Sequence, residues 1–251
     1  MSRYKISGAT VPTGPFTRGK VARFTGLQDE VLSHWTKEGL LVPINDASGP
    51  GRPKEFDQLE VQKAAVLKQM REFGCGIDAL KWFASIVDRA RVIAAESPLF
   101  PLHRIWELAH VRRSTDQFLE GKRVRVWDRV DGDLVDVPAQ SLEEIALHHL
   151  NPGGGVEAEA AEVAAAVDIV KKYPTSLDFQ AMLVGPAFTE NYILDRRTNG
   201  IFLMWPTPKG WELYEDSDTN MSGLMKPPLA GIMIYVTRVM RDLWMIDDVL
   251  L

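Results

Sequence analysis

The chain has 251 residues, a net charge of −5, 45% hydrophobic and 25% charged residues, and one cysteine. That is enough chain for one or two domains with a sizeable core, and the composition excludes wholesale disorder. The lone Cys75 excludes an internal disulfide and a multi-cysteine zinc site and points to a reducing compartment; no apolar run reaches the roughly 18 residues of a membrane span, and residues 1–16 lack the apolar stretch of a secretory signal.

Charge is uneven along the chain. Residues 1–96 carry 14 Lys and Arg against 11 Asp and Glu, whereas residues 97–251 carry 15 against 23. A mildly basic front joined to an acidic back suggests two functional halves.

In chain order, residues 1–16, with Gly8, Pro12, Gly14 and Pro15, read as a flexible leader. Thr17 stands where it can N-cap a short helix over 18–24, which Gly26 ends. A second helix over 29–38 places Val31, Leu32 and Trp35 on one face and stops at Gly39. Leu40-Leu41-Val42-Pro43 reads as a short apolar strand, 45–51 as a loop and Phe56 as a returning strand. Helices over 59–73 and 77–95 follow, parted by Gly74 and Gly76.

Beyond Pro98 and Pro101 the spacing predicts a helix over 102–119, then a hairpin over 123–137 turning at Asp131-Gly132. A short helix over 142–150 has Ser141 as its cap and Glu144 three residues on. Asn151-Pro152-Gly153-Gly154-Gly155 is the clearest linker, and an Ala-rich helix over 157–172 ends in Lys171-Lys172, in accord with its dipole. Residues 179–215 read as strand-like, with a hairpin signal at Asn199-Gly200 and a turn over 206–210. Residues 227–243 read as a last helix, with a strand left open by the β-branched run 232–236.

Helix, tight turn, helix, apolar strand, Gly-rich loop and aromatic return make the order of a winged helix-turn-helix. The stretch Gly19-Lys20-Val21-Ala22-Arg23-Phe24-Thr25-Gly26-Leu27, the stretch from Val31-Leu32-Ser33-His34-Trp35 through Gly39-Leu40-Leu41-Val42-Pro43, and Gly51-Arg52 with Phe56 carry that order. Over about residues 17–85 the chain resembles the DNA-binding domain of the MerR family of transcriptional regulators. Val21, Ala22, Leu27, Leu32, Leu40 and Leu41 are read as core. Arg18, Lys20 and Arg23 on or near the first helix are expected at phosphates, and Gln28, Ser33, His34 and Lys37 on the exposed face of the second at base edges or phosphates. Trp35 is expected to pack, with its indole N–H reaching a phosphate. The resemblance puts Arg52, and with it Lys54, on the wing against the backbone.

Where family members carry an arginine and paired aromatics in the second helix, this chain has Asp29, Glu30, Ser33 and His34. Carboxylates there suit the helix dipole, and sequence preference does not carry over from the family. The leader also departs from the family, whose domain starts almost at the N-terminus; Arg3 and Lys5 could lie along DNA, with simple disorder as the plainer reading.

The resemblance also implies homodimers formed through a long helix, for which 77–95 and 102–119 are candidates, and activators that distort promoter DNA. Cys75 precedes that helix and stands alone, so thiol metal sensing is not expected. His148-His149 lack ligand spacing. Trp127, Tyr192, Trp205, Trp211 and Tyr214 fit the packing of a small sheet, with an effector pocket as the other reading. Glu212, Glu215, Asp216 and Asp218 read as a solvated face, with contact to a basic partner such as a polymerase subunit as the other.

The expectation is an α+β protein: a leader (1–16), a MerR-like winged-helix domain (17–96), a helical and hairpin connecting region suited to dimerisation (97–150) and an α+β carboxy-terminal domain (156–251). It is expected to be a cytoplasmic, nucleoid-associated, sequence-specific double-stranded-DNA-binding regulator, not an enzyme, with no metal, cofactor or membrane partner. The alternative is a phage-type architectural, excision or packaging accessory protein.

Overall fold

The computed structural model describes residues 10–45, 53–127, 134–137, 139, 141–150, 159–195, 200–208, 210–215 and 231–244. The elements run β1 (Phe16–Thr17), α1 (Arg18–Thr25), α2 (Asp29–Lys37), β2 (Glu55–Phe56), α3 (Gln58–Glu72), α4 (Ile77–Glu96), α5 (Ile105–Leu119), β3 (Val124–Trp127), β4 (Leu134–Val137), α6 (Leu142–Leu150), α7 (Ala160–Lys172) and α8 (Ser176–Val184). A 3₁₀ turn (Gly185–Phe188), α9 (Glu190–Ile193), β5 (Ile201–Thr207), β6 (Gly210–Glu215), β7 (Ile232–Tyr235) and α10 (Val236–Leu243) complete them. Mixed helices and small antiparallel sheets therefore make up the described chain.

The chain divides into two compact units, one of Met1–Val87 with Ala187–Leu251 and one of Asp88–Pro186. These boundaries differ from the segments expected from composition, because the first unit is built from both ends of the sequence.

In the first unit, Gly26 ends α1 with φ 69°, a left-handed conformation that favours glycine, and its N–H donates to the Ala22 carbonyl at 2.8 Å. Thr17 occupies the N-cap position of α1 but its side chain makes no capping bond. The turn after α1 is fixed from inside: the buried Thr25 hydroxyl donates to the Val21 carbonyl (2.8 Å) and accepts from the Leu27 N–H (3.2 Å). Val21, Leu27, Leu32, Leu40 and Leu41 are buried as expected, while Ala22 is half-buried.

Leu40–Pro43 is not a strand. The Leu40 and Leu41 N–H groups both turn back to the Trp35 carbonyl (2.9 and 3.3 Å), and the Val42 N–H donates to the Glu60 carboxylate (2.8 Å). With those donors taken by a helix end and a side chain, no ladder forms. The partner of β2 is β1, in the register Phe16↔Phe56 and Thr17↔Glu55. Phe16 (4% exposed) and Val11 (5%) accordingly sit in the core, so residues 10–16 are not the free leader their Gly and Pro content suggests; residues 1–9 lie outside the described residues.

Helix α3 is buried all round, from Glu60 through Leu67. A helix without a solvated face needs cover on more than one side. The covers are α1 and α10, both packed on α3. The sheet β6-β5-β7 belongs to the same unit, with Phe202, Met204, Leu213 and Ile234 buried. Rings join the two ends of the sequence: Phe83 lies 6.4 Å from Phe188, Trp82 lies 6.1 Å from Trp211, and Trp244 meets Phe16 and Phe24 at 5.9 and 5.3 Å. Arg241, 6% exposed, donates to the Ile193 and Asp195 carbonyls (both 2.9 Å) and so ties α10 to the end of α9. Both readings of the last segment hold in part, since β7 passes directly into α10.

The second unit holds α5, α6, α7, α8 and the antiparallel pair β3–β4, in the register Val124↔Val137 to Trp127↔Leu134. The hairpin turn at Asp131-Gly132 and the linker 151–155 lie outside the described residues. The expectation of strands from residue 179 fails in two places: the chain is helical over α8 and again over α9. For α8 the reason is a capping box, in which Thr175 Oγ1 accepts from the Asp178 N–H (3.2 Å) while the Asp178 carboxylate accepts from the Thr175 N–H (2.9 Å). The same carboxylate takes the Thr175 hydroxyl (2.7 Å) and the Arg89 guanidinium (2.5 Å), and Arg89 lies over the Tyr173 ring at 4.7 Å.

Burial pushes the Asp178 carboxyl up, but the hydrogen bonds from Thr175 and Arg89 outweigh it and hold the carboxyl below its ordinary range. A folded-state value below the unfolded one contributes stability that is present above the ordinary carboxylate range and is lost as pH falls through the lower folded value. Asp178→Asn is therefore expected to cost about 2 kcal/mol at neutral pH, from the cap and the charge-assisted bond together. Urea denaturation at neutral and acid pH checks this: the gap between Asp178→Asn and the unsubstituted protein should narrow in acid.

Candidate nucleic-acid interface

The geometry of α2 follows from its burial pattern. Leu32 (0% exposed) and Trp35 (2%) face the core, and the opposite side of the helix presents Glu30, His34 and Lys37, all exposed, with Ser33 half-buried beside them. Trp35 packs as its spacing from Leu32 predicts, and its side chain is part of the core. Gln28 is exposed at the N-cap position of α2 with extended backbone (φ −69°, ψ 149°), and its side chain makes no capping bond.

The same domain carries exposed basic groups. Lys20 and Arg23 on α1 are exposed, and the Arg23 guanidinium lies 5.5 Å from the centroid of the Phe24 ring. Arg18 is half-buried and pairs with Asp29 at 2.7 Å, so the Asp29 carboxylate at the start of α2 is met by a cation. A phosphate approaching Arg18 competes with Asp29 for it. At the other end of α2, Lys81 Nζ donates to Glu38 Oε2 (2.7 Å), which holds the Glu38 carboxyl below its ordinary range. Lys54 is exposed; Arg52 lies outside the described residues.

A shallow depression of about 350 Å³ adjoins α2, lined by Glu30, Val31 and His34 and by Arg71, Cys75 and Ile77 from the end of α3 and the start of α4. Cys75 is buried, and that burial pushes its thiol up. Among the described residues no group of three His, Cys, Asp or Glu side chains is placed to hold a metal ion. His149 shares a hydrogen bond with the Ser114 hydroxyl (2.7 Å) and stacks on His110 at 6.0 Å. Of the aromatic residues weighed for a pocket, Trp205 is buried and Trp211 packs on Trp82; the side chains of Trp127 and Tyr214 lie outside the described set, as do Asp216 and Asp218.

Two residues that shape this surface escaped the sequence reading. Glu60 stands three residues after Asp57, the spacing of a capping box, and Asp57 does cap α3 by accepting the Glu60 N–H (2.9 Å). The Glu60 side chain instead reaches Val42 and the ammonium of Lys63 (3.0 Å), and it is wholly buried. Asn45 sits in a run whose composition says only that it is a loop, and its contacts are long-range.

No helix among the described residues is long and apolar enough to cross a membrane. None of the curated proteins matches the chain. Residues 16–84 match the family model for the MerR HTH family regulatory protein. That stretch carries α1, its turn, α2 and the α3–α4 support described above, and residues 16–84 are a MerR-type helix-turn-helix domain, the type that marks DNA-binding transcription regulation.

Proposed function

We propose that the protein is a sequence-specific regulator of transcription that binds double-stranded DNA, with the outward face of α2 presented to the major groove. The observation that carries this is the exposed pair His34 and Lys37, with the half-buried Ser33 beside them, opposite a buried Leu32 and Trp35, on a MerR-type domain. Lys20 and Arg23 on α1, with Lys54 and Arg52, supply phosphate contacts; Gln28, Ser33 and His34 read base edges or the phosphates beside them. The bound form is a homodimer acting at the nucleoid, in keeping with the domain type. Contact with RNA polymerase and response to a small-molecule effector extend the same reading and rest on the domain type alone.

Binding to a labelled duplex, measured by fluorescence anisotropy over a salt series, tests it. Affinity should fall steeply with salt, and Lys20→Ala, Arg23→Ala and Lys37→Ala should each flatten the slope by about one. Replacing Ser33 and His34 by alanine should change the ranking of duplexes more than the overall affinity. No retention of any duplex at low ionic strength would end the proposal. Mapping of bound sites across the genome separates a promoter regulator from a protein of attachment or packaging sites.

A further inference from the structure

We infer that Asn45 is a positioning residue that fixes the backbone on both sides of Lys54 and so presents the Lys54 ammonium to a DNA phosphate, an inference that rests on the DNA-binding reading above. Asn45 Nδ2 donates to the Pro53 carbonyl (3.2 Å), and its Oδ1 accepts from the Glu55 N–H (2.9 Å). The Pro53 carbonyl belongs to the peptide that precedes Lys54, and the Glu55 N–H to the peptide that follows it. One planar side-chain amide thus spans both peptide units of Lys54 and restrains the two soft dihedrals between them. The arm that carries Asn45 is itself anchored. The Ile44 N–H donates to the Glu55 carbonyl (2.8 Å), and the Val42 N–H donates to the buried Glu60 carboxylate (2.8 Å). The direction in which the exposed Lys54 side chain leaves the backbone is therefore set from α3 outward, through Val42, Ile44 and Asn45.

The residue type fits the task. An asparagine amide carries donor and acceptor in one plane, whereas aspartate offers acceptors alone and alanine neither. A phosphate ligand on a backbone already held in place loses less freedom when it binds.

A double-mutant cycle with the full chain tests this, using a mixed-sequence duplex of about 30 base pairs and a salt series. Lys54→Ala should flatten the salt slope by about one and weaken binding about five- to tenfold at roughly 0.1 M salt. Asn45→Ala should weaken binding about two- to tenfold with Lys54 present and have no effect in the Lys54→Ala background. Asn45→Ser, whose hydroxyl is too short to span both peptides, serves as a second variant, and a thermal melt confirms that each protein is folded. Equal losses in the two backgrounds would overturn the role of Asn45 while leaving DNA binding intact. Absence of salt-dependent binding by the unsubstituted protein would overturn both.

Discussion

Trp244→Ala is expected to destabilise the first unit by about 3–5 kcal/mol, the range for truncating a buried large aromatic, and to lower the midpoint of its urea denaturation accordingly. Trp244 is 7% exposed and closes a cluster with Phe16 and Phe24, whose own rings meet edge to face at 5.8 Å. Its indole N–H donates to the Gln62 amide oxygen (3.3 Å), while the Gln62 nitrogen donates to the Phe188 carbonyl (2.8 Å), in the amide orientation that satisfies both partners. Alanine at 244 removes two ring contacts and one of the two donors to the fully buried Gln62 oxygen, which keeps the Gln58 amide at 3.1 Å. Trp244→Phe keeps the apolar bulk and should cost less than half as much. An unchanged midpoint for Trp244→Ala would show that the aromatic cluster contributes nothing to stability.

The consequence reaches past one side chain. The family match ends at residue 84, yet α3 inside it packs against α10, and Phe24 on α1 is held by Trp244. The helix that carries Lys20 and Arg23 thus depends for its packing on the far end of the sequence. A fragment of residues 10–87 should melt well below the full chain, and its circular dichroism should show the helix loss.

Much of the helix-turn-helix was legible because its signals are local. Gly26 and Gly39 stop α1 and α2 through left-handed backbone, and Leu32 and Trp35 recur at helical spacing, so periodicity and glycine place both helices within a residue or two. What failed depends on partners distant in sequence. Leu40 to Val42 have the composition of a strand, but their N–H groups go to Trp35 and Glu60. Phe16 looks like part of a loose leader until Phe56 and Trp244 arrive beside it. The helix over Ser176–Val184 was missed for a different reason: its cap, Thr175 with Asp178, is a local signal, but the apolar run after it has no polar face and so carries no helical period. The helical spacing of α2 puts Leu32 and Trp35 in the core and leaves Glu30, His34 and Lys37 exposed on the other side.

Glu60→Ala is expected to cost about 3–5 kcal/mol, because it strips a wholly buried lysine of a buried counter-charge and orphans the Val42 N–H in the same step. Glu60 and Lys63 lie one turn apart on α3, both 0% exposed, with Nζ 3.0 Å from Oε1. The two carboxylate oxygens divide the work, one toward the ammonium and the other toward the backbone that leads to Asn45. Glu60→Gln separates these roles: the amide oxygen still accepts from Val42, so the loop stays tied, while the ion pair is lost. Lys63→Met leaves the carboxylate buried beside an apolar chain and should cost a similar amount. The double variant Glu60→Gln with Lys63→Met should be more stable than the summed single losses allow, with a coupling of about 1–3 kcal/mol, since neither charge is then left buried without the other. Urea denaturation of the four proteins measures the coupling, and strictly additive losses would show that the pair does not act as a unit. With Val42 still tied in Glu60→Gln, its salt slope of DNA binding should match that of the unsubstituted protein even as its stability falls, because the buried residue 60 holds the arm that carries Asn45 by geometry and offers no charge to the duplex.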